Sequence, residues 1–408
     1  CESKHSGIMY ASGSNAYGNL ADGAGFANVR RYVPVRSHTF FNLPVNQVAA
    51  GKHFSLILLT NGTLYSVGLN SYGQLGDGTL TNRMLPVEVR GSFSGNVRTM
   101  CAGHTHSIVV DENGAVYAFG QNTFGQLGTG STATAVPVPT KVGGIIDQQS
   151  VIAVSCGTFH TVALLRNGTV VAWGCNTWAT IGDGTTNDRY SPRTVYLAGM
   201  LYTRKAVSVA AGGRHTMALA EDGVLYRWGS NSHGQLAPLA LNTNAYVPQA
   251  LTTAPFSTRP ITYIAASTHT SYVVFDERLY ATGGNHQGQL GTPGSLGGNL
   301  NSFIAASSPL DTMSISKVFS GVCNLEVAET HASVLTHSNT SYAFGYNDYG
   351  QLGVGTNAND GRAKPYHLHY PNRPVLSVAA GCWQTLVLYD SAYSCHGVMA
   401  DDPSVCSH

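Results

Sequence analysis

Short apolar runs, rich in Val, Ile, Thr and aromatic residues, alternate with polar positions along the whole chain and are separated by Gly-containing turns. That two-residue period predicts β-strands rather than amphipathic helices. The runs fall into two phrases that take turns. The first is a short strand ending in Gly, then Asn, then a turn that usually reads Gly-Gln-Leu-Gly, as in GTLYSVGLNSYGQLGDG and GAVYAFGQNTFGQLGTG. Its anchoring asparagines are Asn15, Asn70, Asn122, Asn176, Asn231, Asn285 and Asn347, with separations of 55, 52, 54, 55, 54 and 62 residues. The second is a pair of strands around a Gly turn, as in QVAAGKHFSLIL, IAVSCGTFHTVAL and LSVAAGCWQTLVL. Asn61-Gly62, Asn113-Gly114, Asn167-Gly168 and Asp222-Gly223 join the phrases, and such dipeptides suit a type I′ hairpin.

One copy of both phrases supplies about four short strands, the content of a propeller blade. The expected fold is therefore all-β, a seven-bladed β-propeller of four-stranded blades spanning residues 7–390. A Cys-containing segment (1–6) precedes it and a Cys-containing tail (391–408) follows. The alternation of AAGxxH with VYxWGxNxxGQLG resembles the regulator of chromosome condensation repeat family over nearly the whole chain, which implies a narrow central channel. The chain starts with one phrase (residues 7–23) and ends with the other (375–389), so the two termini should share a blade and close the ring. Closure removes exposed sheet edges.

Composition narrows the function classes. Charged residues make up 11%, and 22 basic against 21 acidic residues leave a net charge of +1 with no run of either sign. A nucleic-acid or anionic-membrane surface needs clustered Lys and Arg, so neither partner is expected. No apolar stretch is long enough for a membrane span. The chain begins at Cys1 and is read as mature or processed.

Of the 16 histidines, His106, His160, His215, His269 and His331 are assigned to one repeat position, held elsewhere by Phe54 and Gln384, and a residue repeated once per blade is structural by default. There is no HExxH, paired CxxC, GxSxG or phosphate-binding GxxxxGK[ST] signature. Asp22, Asp77 and Asp183 sit in Gly-flanked turns, where Asp caps its own backbone. No metal, cofactor or catalysis is expected.

The residue before the first Gly of Gly-Gln-Leu-Gly is Tyr17, Tyr72, Phe124, Trp178, His233, Gln287 or Tyr349, one per blade and all on one rim. Such a circle is either a set of binding anchors or packing between neighbouring turns. Three departures from the repeat are candidate contact loops: the stretch after Gly291, the insert NLEVAE (324–329) and the connector NANDGRAKPYHLHYPNRP.

Asn61-Gly-Thr, Asn167-Gly-Thr and Asn339-Thr-Ser are glycosylation sequons assigned to the same exposed turn, which points to secretion, although Asn-Gly-Thr is also good hairpin chemistry. The Gly turns place Cys323 and Cys382 on neighbouring blades, where they are expected to form a disulfide. Cys1 and Cys395 flank the strand ends that should meet at the seam and are a second expected pair. Cys101 and Cys156 are read as buried thiols, and Cys175 and Cys406 are unassigned. The tail CHGVMADDPSVCSH resembles the start of an epidermal-growth-factor-like module, for which Cys406 would find its partner beyond this chain.

The nuclear member of the family is a guanine-nucleotide exchange factor that binds chromatin, and the near-neutral charge argues against that role here. The reading from sequence is a non-catalytic, secreted or cell-surface interaction module, such as a subunit of a filament, coat or appendage, with protein partners, like subunits or glycans. The alternatives are a lectin-like or inhibitor-like binder using the aromatic rim, and a propeller hydrolase or lyase.

Overall fold

The computed structural model describes residues 7–23, 27–34, 44–195, 204–292, 298–323, 330–357, 360–365 and 374–390. Among them are 28 strands. β1 (Gly7–Gly13) and β2 (Val29–Pro34) come first. β3 (Val45–Ala50), β4 (Phe54–Leu59), β5 (Leu64–Gly68) and β6 (Arg83–Glu88) form the first set that is continuous in sequence. Four strands follow as β7 (Val97–Ala102), β8 (His106–Asp111), β9 (Val116–Gln121) and β10 (Ala135–Lys141), then four as β11 (Val151–Cys156), β12 (His160–Leu165), β13 (Val170–Gly174) and β14 (Arg189–Thr194). The next set is β15 (Ala206–Ala211), β16 (His215–Ala220), β17 (Leu225–Gly229) and β18 (Ala245–Ala250). After it come β19 (Ile261–Ala266), β20 (Thr270–Phe275), β21 (Arg278–Gly284) and β22 (Asn299–Ala305). β23 (Ile315–Ser320), β24 (His331–Thr336), β25 (Ser341–Gly345) and β26 (Asp360–Pro365) precede the last two strands, β27 (Val375–Ala380) and β28 (Gln384–Asp390).

Each set is an antiparallel meander whose first strand lies beside the first strand of the next, from β3 to β7 and on round to β27, which returns to β3. These strands line the axis, and the last strand of each set lies outside. The termini share a sheet: β1 pairs with β28 in unbroken register from Gly7–Asp390 to Gly13–Gln384, and β2 pairs with β1. Seven separate sheets were expected. Instead, five sets are discrete four-stranded sheets, while β27-β28-β1-β2 and β3–β6 form one eight-stranded sheet. The link is a single register pair, Gly7–Val45, at the seam.

The second strand of each set is buried at every position, as in Phe54–Leu59 and His160–Leu165, because a neighbouring blade covers each face. Outer strands such as Arg83–Glu88 are far more exposed, with Met84, Leu85 and Glu88 in solvent. The core therefore lies between blades. One cluster, for example, joins Val162, Leu164 and Ile181 to Ala218, Tyr226 and Trp228 of the next blade.

The hairpins between second and third strands are not type I′. Gly62, Gly114, Gly168 and Gly223 have φ of +88°, +81°, +87° and +80°, whereas the Asn or Asp before each has negative φ. This is a type I turn followed by a left-handed residue, the loop of a bulged hairpin. Asn339 (φ +60°) occupies the Gly position, so its sequon lies one residue out of step with Asn61 and Asn167. Both of those use Oδ1 to accept a turn N–H, from Thr63 at 3.0 Å and Thr169 at 2.9 Å.

Neighbouring blades are cross-linked as well as packed. Cys323 and Cys382 are bonded at 2.05 Å. Cys101 and Cys156, expected as thiols, are bonded too, because adjacent inner strands converge on the axis and bring their Cα atoms to 5.7 Å. Cys175 is free and buried, and burial raises its thiol pKa. The expected Cys1–Cys395 pair, the tail and the insert 324–329 lie outside the described residues.

Candidate protein-binding rim

The turns after the first and third strands of every blade emerge on the same face. Within each third-strand turn a buried Asn fixes the backbone: Asn15, Asn70, Asn122, Asn176, Asn231, Asn285 and Asn347 each accept the N–H of the residue five positions on, at 2.7–3.1 Å. In two blades an Asp–Arg pair completes the turn, with Asp77 to Arg83 at 2.6 Å and Asp183 to Arg189 at 2.5 Å. The turn then presses on the next blade. A Cβ on Gly73 (φ +79°) would lie 2.4 Å from Pro137 Cα, so only Gly fits there.

Beneath the rim a second ring joins the blades. His106, His160, His215 and His331 each place Nε2 against a hydroxyl of the next blade: Thr161 at 3.2 Å, Thr216 at 3.0 Å, Ser271 at 2.9 Å and Thr385 at 2.6 Å. Each hydroxyl donates its own proton to a backbone carbonyl (Gln126, Thr180, Gln235 or Gln351) at 2.8 Å. Nε2 must therefore carry the proton and donate, which fixes the tautomer. Burial keeps these imidazoles neutral, pushing the pKa down to about 3 for His106, His160 and His215 and to about 4 for His331. Their role is structural. His269 is not among them. Thr270 begins β20 and holds the ring position, so His269 stands one residue earlier, on the rim.

The rim residues expected from sequence are half-buried, and five of the six aromatic or imidazole ones pack against a side chain from the next blade's Gly turn, His233 stacked on His269 and the other ring pairs tilted. Tyr17 meets His53 (centroids 4.8 Å apart), Phe124 meets Phe159 (5.1 Å), His233 meets His269 (4.0 Å) and Tyr349 meets Trp383 (5.4 Å). The Arg214 guanidinium lies 4.2 Å from the Trp178 ring centre. Opposite Tyr72 and Gln287 the partner positions hold Thr105 and Thr330. The result is a discontinuous band of ring contacts, half-buried along the rim. Of the Gly-turn members of this band, His53, Phe159, Arg214 and Trp383 went unnoticed in sequence, and His269 was assigned to the histidine ring instead. Aligning the second phrase on its Ala-Ala-Gly would have put them in one column.

At the axis on this face, Cys323 ties its own blade to three others, one through the disulfide to Cys382 and two through hydrogen bonds. Its N–H donates to Thr268 Oγ1 at 2.6 Å and its carbonyl accepts from Thr158 Oγ1 at 3.1 Å. The narrow central channel implied by the family resemblance is bridged here. Among the described residues, no group of three or more His, Cys, Asp or Glu side chains is arranged to hold a metal ion.

Comparison with known proteins places the chain. The signature "Regulator of chromosome condensation (RCC1) repeat" matches residues 61–110, 113–164, 167–219 and 340–388, and a second form of it matches 45–74, 97–126 and 206–235. The chain belongs to the regulator of chromosome condensation repeat family. Neither signature reaches the tail, so its epidermal-growth-factor-like reading has no support.

Among family relatives, the ultraviolet-B receptor UVR8 of Arabidopsis thaliana is 29% identical over 84% of this chain and 74% of its own length. The probable E3 ubiquitin-protein ligase HERC6 of Homo sapiens is 35% identical over 60% of this chain, but only 24% of that protein is matched. The secretion-regulating guanine nucleotide exchange factor of Bos taurus is 26% identical over 88% and 78%. In fold, the chain matches Prp20p of Saccharomyces cerevisiae, whose structure is described with its binding to Gsp1p and histones. The TM-score is 0.81, with 19% identity and coverage of 95% and 92%.

These findings overturn the expectation of a secreted structural subunit. The relatives are a receptor, a ubiquitin ligase and an exchange factor, together with a mitochondrial RCC1 domain-containing protein of Arabidopsis thaliana that is 30% identical over 64% of this chain and 59% of its own length. The physical reason lies in the turns: Asn-Gly-Thr is explained by hairpin geometry, and reading it as a glycan acceptor depended on the secretory compartment.

Proposed function

We propose that this member of the RCC1 repeat family is a protein-docking propeller that acts by binding, with the aromatic rim as its working surface. One observation carries the reading: side chains from adjacent blades pack ring against ring, or Arg against ring, into a preorganised, half-buried band. Rigid aromatic and Arg side chains lose little freedom on docking, which is why they dominate interface energetics. The histidines beneath are neutral and committed to inter-blade hydrogen bonds, which leaves them no acid–base task. Prp20p, with its binding to Gsp1p and histones, is precedent for protein partners on this fold.

The test is photo-crosslinking in cells, with a photoreactive phenylalanine at Tyr72 or Trp178 on the rim, or at Thr63 or Glu112 on the opposite face. The expected result is a discrete protein adduct from the rim positions. Adducts confined to Thr63 and Glu112 would refute the reading.

A further inference from the structure

The seam side of the rim carries a basic cluster of unusual composition. Lys52 and His53 occupy the turn between β3 and β4, and His104 the turn between β7 and β8, with the Lys52 N–H donating to the His104 carbonyl at 3.3 Å. Lys52 Nζ lies 5.5 Å from the Trp383 ring centre, and the His53 ring is wedged between Tyr17 and Trp383, 4.6 Å from the latter. His104 is 9% exposed and His53 8%. Both ring nitrogens of His104, and Nδ1 of His53, are buried without a hydrogen-bond partner. Lys52 forms no ion pair among the described residues.

Buried polar nitrogens without partners cost roughly 1–3 kcal/mol each, so such a group in a folded protein calls for an explanation. Here these nitrogens belong to adjoining turns beside the Lys52 ammonium, with His53 between Tyr17 and Trp383 and His104 against Phe159 at 5.7 Å. We infer that Lys52, His53 and His104 form a carboxylate subsite, which takes an Asp or Glu side chain of the docking partner against the Trp383 ring. This deepens the docking reading and rests on it.

Charge selects the occupant. Burial and the neighbouring Lys52 push His53 down to about 4, and burial, Lys52 and His53 push His104 down to about 3. At neutral pH each imidazole therefore offers one N–H and no charge, and the ammonium of Lys52 is the single positive charge. One charge with several donors matches a monoanionic carboxylate, whereas a phosphate dianion would leave excess negative charge against the aromatic wall. A cationic side chain is repelled by Lys52, and an apolar one leaves the nitrogens orphaned.

The test uses the full chain, with acetylated and amidated hexaglutamate as probe and hexaglutamine and inorganic phosphate as comparators, followed through histidine-ring NMR signals. The expected result is a saturable shift of the His53 and His104 signals with hexaglutamate, none with hexaglutamine, and unchanged His160 and His215 signals. Lys52→Met should weaken binding at least tenfold, and Lys52→Arg should restore most of it. Lys52 is half-exposed, so both variants should fold, which unchanged His160 and His215 signals would verify.

Three outcomes overturn the subsite: no shift of His53 and His104, equal binding by Lys52→Met, or phosphate displacing the peptide at equal concentration. Rim crosslinks combined with any of these would sink the subsite alone. Hexaglutamate binding without rim crosslinks would sink the docking face instead.

Discussion

Replacing His160 by Phe separates the two contributions of the inter-blade histidine ring, and their balance reverses with pH. Phe54 already occupies the equivalent position in another blade, fully buried, so the site accepts a phenyl ring. The substitution removes the Nε2 donor to Thr216, whose hydroxyl keeps its bond to the Thr180 carbonyl. At pH 7.5 this loss should cost about 1 kcal/mol.

The proton balance acts in the other direction. His160 is held at about 3 when folded, against an unfolded value of 6.5. Between those values the unfolded chain binds more protons, so the parent is at full stability above 6.5 and loses stability as pH falls. From pH 7 to pH 5 that amounts to about 2 kcal/mol for one fully buried histidine. The Phe variant escapes it. Urea unfolding at both pH values, with coincident fluorescence and circular dichroism transitions required, should find the variant about 1 kcal/mol less stable at pH 7.5 and about 1 kcal/mol more stable at pH 5. An unchanged difference between the two pH values would refute the assignment of His160 as a neutral donor.

Arg227, only 2% exposed, donates to the carbonyls of Leu236, Ala237 and Gln249. Arg227→Met orphans all three and should lower stability by about 2–4 kcal/mol, read as a fall in the urea midpoint. Asn122→Ala removes the acceptor of the Leu127 N–H and the donor to the Ser131 carbonyl, and should cost about 2–3 kcal/mol in the same assay. Cys323→Ser opens a bridge closing 59 residues between neighbouring blades and should cost about 2–4 kcal/mol under oxidising conditions. Under full reduction, parent and variant should converge.

The architecture was legible because each of its causes is local. The seven asparagines repeat in sequence because each ties its own turn, and the split blade follows from which phrase comes first. Errors entered where one residue of register decides the outcome. His269 looks like its repeat neighbours, yet counting from Ile264-Ala265-Ala266 places Thr270 in the ring and sends His269 to the rim. Asn339 slips in the same way, taking the left-handed position that Gly62 fills elsewhere. Cys101 and Cys156 looked like core thiols because nothing in their own strands shows how closely two inner strands approach at the axis. The rim was half visible: Tyr17, Tyr72, Phe124, Trp178, His233 and Tyr349 could be aligned, but their packing partners sit in a different phrase of the next blade. Such a pairing becomes apparent only when both phrases are placed on one face.

The docking claim is tested most directly by the affinity of a rim-crosslinked partner for variants of each face. Combined Phe124→Ala and Trp178→Ala should weaken binding at least a hundredfold with the unfolding midpoint nearly unchanged, because both side chains are half-exposed at a turn. Phe93→Ala, on the opposite face, should leave the affinity intact. Equal affinity of the rim variant and the parent, or loss of binding with Phe93→Ala alone, would contradict the account.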